Sequence, residues 1–134
     1  ELEIHDLWEA RTAKLTSSFL AFHYDKSEDL ADMIPVIEIC RVCSLNVEKD
    51  CASWCRAQIF DDKQMFWFAI CTQVGGYNAG RTYFLRVDSE DERIDWIINL
   101  RELSETSQSV LRQQLRAMMG ELQRLKLMMN EFLQ

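Results

Sequence analysis

Cys40-x-x-Cys43 and Cys51-x-x-x-Cys55 form the one grouping in this chain whose residue types could ligate a metal, because four thiolates hold zinc tetrahedrally. Their spacing weighs against that chemistry. Residues three apart on a regular strand point to opposite faces, and the gap between Cys51 and Cys55 is not that of a standard zinc knuckle. Free thiols are the expectation, with zinc through Cys40, Cys43, Cys51 and Cys55 as the minor reading. The two histidines, His5 and His23, have no sequence neighbour that would make either a base. Asp61 and Asp62 are adjacent in a turn, where the separated geometry of an acid/base pair is not indicated. Gly75-Gly76 through Gly80 lacks the following lysine and helix of a phosphate-cradling loop and reads as a hairpin tip. These readings give neither a catalytic residue nor a cofactor, and the chain is expected not to be an enzyme.

The bulk composition narrows the partners. At 134 residues, 48% hydrophobic and 28% charged, the chain has room for one modest core and one appended element. The formal net charge of -7 opposes general affinity for nucleic acid or anionic lipid, both of which need a clustered positive field. No apolar run reaches membrane-spanning length, and Glu-Leu-Glu-Ile-His-Asp at the start lacks the pattern of a signal peptide. With five cysteines, an odd set, reduced thiols in an intracellular protein, cytoplasmic or peripheral to a membrane, are expected.

The elements that must position any site are organised around residues 81–100. Tyr83, Leu85 and Val87 alternate with Phe84 and Arg86, the period of a strand with one buried face. Then the period changes to that of a helix. Ser89 and Glu92 have capping-box spacing, and Glu90, Asp91 and Glu92 put negative charge at the positive end of the helix dipole. Ile94, Ile97 and Leu100, with Trp96 beside them, predict one apolar face, with Glu92, Arg93, Asp95 and Asn99 mostly off it.

Upstream the chain reads as sheet. Leu2 to Leu7 is a possible short edge strand; Trp8 to Leu15 and Phe19 to Tyr24 read as a hairpin; Asp25 to Asp32 is a polar loop. Met33 to Leu45 reads as one strand with Pro35 near its start, at an edge or bulge because proline lacks the ladder donor. Trp54 to Phe60 and Met65 to Gln73 are further strands, the latter apolar on both faces and therefore expected to be covered on both.

Four strand pieces and the closing helix of this pattern resemble the pleckstrin-homology (PH) domain. Trp8-Glu9-Ala10-Arg11 with Leu15-Thr16 looks like that family's second strand and Ile34-Pro35-Val36 like its fourth. Phe68 to Thr72 and Thr82 to Leu85 look like its last two strands, and Ser89 to Leu100 looks like the closing helix, with Trp96 in the place of the family's near-universal tryptophan. The resemblance implies an α+β fold: an antiparallel β-barrel or sandwich closed by a C-terminal helix, with the first strand short or truncated. It also implies a binding module, for a protein partner or for phosphoinositide membranes. In lipid-binding members a basic cluster on the first strands grips phosphate. Here the residues at or near those places are Arg11, Lys14 and Lys26, among the acids Asp6, Glu9, Asp25, Glu28 and Asp29.

After Leu103 the polar stretch 104–109 loses its apolar positions, and a new pattern begins. Leu111, Leu115, Met118, Leu122, Leu125, Met129 and Phe132 alternate in steps of four and three, the seam of a coiled coil. Met119, Met128 and Leu133 widen the stripe beyond a strict two-stranded seam, and Glu121 could meet Lys126 of a parallel partner. The expectation is a PH-like domain over residues 1–103 followed by an oligomerisation helix over residues 104–134. Such a protein would be a scaffold or adaptor that forms a dimer or larger assembly through its coil and holds a protein partner. Membrane recruitment by phosphoinositide is the alternative, and nucleic acid is not an expected partner.

Overall fold

A computed structural model describes residues 9–45 and 66–134. The expected strands at residues 2–7 and 54–60, the turn at Asp61-Asp62, and His5, Cys51 and Cys55 lie outside the described residues.

The expected hairpin forms, with its first strand starting at Arg11 and with Glu9 and Ala10 outside it. β1 (Arg11–Leu15) and β2 (Phe19–Tyr24) pair antiparallel, Arg11 opposite Tyr24 and Leu15 opposite Leu20. Thr16 closes the turn: its Oγ1 accepts from the backbone N–H of Phe19 at 3.1 Å. β2 sends Leu20 and Phe22 inward, the two-residue period of a half-buried strand.

The stretch read as one strand from Met33 to Leu45 is instead two strands in different sheets, and the loop before it is shorter than expected. β3 (Leu30–Pro35) pairs with β2, a 3-10 turn follows at Val36–Glu38, and β4 (Ile39–Ser44) joins the second sheet. Pro35 therefore ends a strand rather than beginning one. It brings no N–H to a ladder, and the next N–H, of Val36, turns away to the carbonyl of Ser18 at 2.9 Å. Ile34, Val36 and Ile39 are all buried at this corner, so an unbroken apolar run conceals a change of sheet.

β5 (Phe66–Thr72) is the centre of the second sheet, between β4 and β6 (Thr82–Val87). Phe68 and Ile70 face the core shared by the two sheets, while Trp67 and Ala69 on the opposite parity are also buried. Both faces of this strand are thus shielded, as its composition predicts. The β5–β6 connection needs left-handed backbone, with Ala79 at φ 54° and Gly80 at φ 76°. A Cβ on Gly80 would also stand 3.2 Å from the Val74 Cα, which accounts for glycine there. The Glu38 carboxylate accepts from the Tyr77 N–H at 2.9 Å and ties this connection to the sheet corner.

α1 (Glu90–Leu133) begins at Ser89, whose Oγ accepts from the Glu92 N–H at 3.1 Å, as the capping spacing predicts. It closes the sandwich with Ile97 and Leu100 buried and Trp96 packed against the same core. The docked face is rotated from the expected one. Ile94 is exposed, and Arg93 takes the inner side, its guanidinium 5.4 Å from the Phe66 ring centroid. A long arginine stem can cover apolar surface while its charged end stays bonded to Glu90.

The polar stretch 104–109 does not interrupt the helix, which runs for 44 residues. Its polar side chains are used. Ser104 is buried and donates to the carbonyl of Ile39 at 2.8 Å, Gln108 Nε2 donates to the same carbonyl at 3.1 Å, and Arg101 holds the carbonyl of Val42 at 2.6 Å. The helix therefore remains docked to the sheets as far as Gln108.

Candidate functional site

The residues expected to grip phosphate occupy three different environments. Arg11 and Lys14 lie three apart on β1 and so on opposite faces. Arg11 lies 4.8 Å from the Tyr24 ring centroid, bonded to the Glu9 carboxylate and donating to the Ala10 carbonyl at 2.9 Å. Its charge is already matched by an acid and a ring. Lys14 is exposed and stands opposite Ala21 near the first hairpin turn. Lys26 sits in the β2–β3 turn with φ 56°. Since β1 pairs antiparallel with β2, that turn lies at the other end of the hairpin from Lys14, about 15 Å away at strand rise. The three cations do not converge on one point.

Of the candidate zinc cysteines, Cys40 and Cys43 are described, both on β4. Cys40 is exposed, with its Sγ–H donating to the Cys71 carbonyl at 3.2 Å. Cys43 is half-buried further along β4, and among the described residues no three potential ligands gather to hold a metal ion. His23 Nδ1 lies 3.0 Å from the carbonyl of Glu28, a backbone bond that explains its presence at the strand end.

Between β1 and β6 the sandwich is open among the described residues, since each is an edge of its sheet. The opening is a cleft of about 880 Å³ with Ala13, Phe22, Phe68, Leu85 and Trp96 in its walls and Arg11, Asp32 and Glu92 among its polar residues.

At the far end of this cleft is a polar relay that periodicity does not reveal. Asn78 Nδ2 donates to the Met33 carbonyl at 3.0 Å and to the Tyr83 hydroxyl at 2.5 Å, and Tyr83 donates to Asp32 Oδ2 at 2.9 Å. Arg81 approaches the same carboxylate at 3.5 Å. The relay ties the β5–β6 connection and β6 to β3, across the two sheets. The only sequence sign of it is a polar Asn78 in a turn, which looks like any other turn residue.

Burial, together with the bond to Asp32, pushes the Tyr83 phenol above its ordinary value of 10.0. The neutral phenol is thus favoured in the fold. Its contribution to stability is complete below the unfolded value near 10 and is lost as pH rises through the folded one. Tyr83→Phe is expected to lower stability by about 1 kcal/mol at neutral pH, and to make the decline between about pH 9 and about pH 11 shallower. Urea unfolding of both proteins across that range checks it. A decline of equal steepness in the variant would show that other groups govern the alkaline limb.

The second candidate surface is the free part of α1. Beyond Gln108 the seam residues are all exposed, from 40% at Leu111 to 90% at Phe132. No helix among the described residues is long and apolar enough to cross a membrane.

Among the described residues, two antiparallel three-stranded sheets and one capped helix that packs its tryptophan against their core define the class: an α+β sandwich. A family model for the PH domain matches residues 3–105, and the chain belongs to that family. Its members are interaction modules for proteins or phosphoinositides and are typically not enzymes. Comparison with curated proteins gives no match.

Proposed function

We propose that this chain is a non-enzymatic scaffold inside the cell, in which a PH domain that engages a protein partner is joined to further copies through residues 111–133 of its closing helix. The observation that carries this reading is the unbroken seam Leu111, Leu115, Met118, Leu122, Leu125, Met129 and Phe132, every member exposed on a helix that has already left its own domain. A contiguous apolar surface of this extent marks an association site. A helix is also marginal in water unless an apolar face is packed. Joining modules multiplies a weak contact through effective concentration, which is what a scaffold gains from assembly.

Recruitment by phosphoinositide through Arg11, Lys14 and Lys26 is the less favoured reading, because phosphate capture needs several convergent donors and these three lie apart. Light scattering of the full chain beside Leu115→Asp/Leu122→Asp tests assembly. The expected result is an oligomer that the double variant converts to a folded monomer. A monomeric parent at high concentration would remove the scaffold reading.

A further inference from the structure

The apolar seam starts out on the docked face of α1. Ile97 and Ser104, both buried against the sheets, lead in steps of seven to Leu111, Met118, Leu125 and Phe132. Gln108, bonded to Ile39, leads likewise to Leu115, Leu122 and Met129. Each step of seven drifts by about 20° on a straight helix, so along the unbroken α1 the seam is about 20° off the docked face at Leu111 and about 80° off it at Phe132, four steps from Ser104. The side on which the domain sits is therefore the side from which the seam begins, at Leu111 and Leu115.

This limits how a second copy can lie there. A parallel partner in register would run its own residues 90–108 along the same face, with axes about 8–10 Å apart. That space holds β4, the 3-10 turn and β5, onto which Leu100, Ser104 and Gln108 are docked. Charge alone would favour the parallel sense, since it sets Glu121 of one copy beside Lys126 of the other. An exposed pair of that kind is worth only about two- to fivefold in affinity, and Glu121 already has Arg124 on its own helix. Overlap between a helix and a folded domain cannot be offset by so small a term.

We propose that two copies of this chain pair antiparallel through residues 111–133, which places their PH domains at opposite ends of a rod; this rests on the assembly reading above. Of the two registers that keep six seam layers stacked, the flanking charges favour one. It stacks Leu115 on Phe132, Met118 on Met129 and Leu122 on Leu125 of the second copy, and twofold symmetry repeats each layer. The flanking Glu121, Arg112 and Lys126 then lie beside Met128, Leu133 and Met119, where long stems cover apolar surface. Pairing one heptad closer to the domains would set Glu121 against Glu121 and Arg112 against Lys126, exposed like charges that disfavour that register by a margin similar to what an exposed opposite pair gains, about two- to fivefold each.

At the upper end of its range the buried area reaches that of a specific pair. The layers use Leu115, Met118, Leu122, Leu125, Met129 and Phe132 from each copy. At roughly 60–120 Å² of apolar surface apiece, they bury about 700–1,400 Å² before Met119, Met128 and Leu133 are added. That approaches the size of a specific interface. The contact is isologous and closes at two copies.

Light scattering and small-angle X-ray scattering on the same unmodified full chain test the arrangement. The expected result is twice the chain mass and a distance distribution with a second maximum at roughly 70 Å, the spacing of two domains centred near residue 100 of helices overlapped in this way. A dimer with a single maximum near the width of one domain overturns the antiparallel arrangement and leaves assembly intact. A trimer or tetramer also overturns it. A monomer removes assembly and arrangement together.

Discussion

Phe68→Ala is expected to lower unfolding stability by about 3–5 kcal/mol, the range for removing a large buried aromatic. Phe68 is 0% exposed, at the centre of the second sheet, and belongs to the cluster that joins Leu20, Phe22 and Ile34 of the first sheet to Ile97 and Leu100 of the helix. The cavity would open where all three layers meet, so no single element can move to close it. Small domains have only about 5–15 kcal/mol in total, so the variant loses a large share of its stability. A loss of this size moves the urea midpoint by about 2 M. Phe84→Ala is the control, since Phe84 points to the other face of β6 and is exposed; it should cost less than about 1 kcal/mol. Equal midpoints for the two variants would show that the core lies elsewhere.

The second large effect is expected at the helix. Leu100→Ala should cost about 2–5 kcal/mol, because Leu100 is 0% exposed under the sandwich, whereas Ile98→Ala, two residues away and exposed, should stay within about 0.5 kcal/mol. Helix propensity does not account for the contrast, since alanine is the better helix former at both sites. The difference reads the docked face directly. It also bears on assembly, because the face that Leu100 anchors continues into the seam. If Ile98→Ala proved the more damaging, the rotation of α1 described above would be wrong.

Position 94 shows where sequence periodicity loses definition. Ile94, Ile97 and Leu100 are three apart, and each pair lies on neighbouring ridges of a helix, so an apolar face through all of them is a fair expectation. A step of three falls about 60° short of a full turn, and the row winds off the contact. The sheets take Ile97, Leu100 and Ser104, and Arg93 completes the inner side by laying its stem on Phe66. Hydrophobicity alone could not choose between isoleucine and an arginine stem at that edge. The choice depends on what lies opposite.

What the sequence by itself determined is local and periodic. The alternation in β5 and β6, the Ser89 cap and the seam from Leu111 to Phe132 can all be read from residues close together along the chain, because each rests on a repeat of two or three to four residues or on a single capping hydrogen bond, while the PH resemblance rests on the order and spacing of pieces spread over residues 8–100. Only the tertiary structure decided the rest. Pro35 divides one apolar run between two sheets because Val36 finds Ser18 across the corner. Ser104 and Gln108, polar residues that resemble a linker, continue the helix because the carbonyl of Ile39 lies opposite them. Arg11, Lys14 and Lys26, near one another in sequence, lie apart because strand parity and the hairpin send them to different faces and ends. In each case the deciding partner is distant along the chain, and no pattern within one segment can encode what that segment will meet.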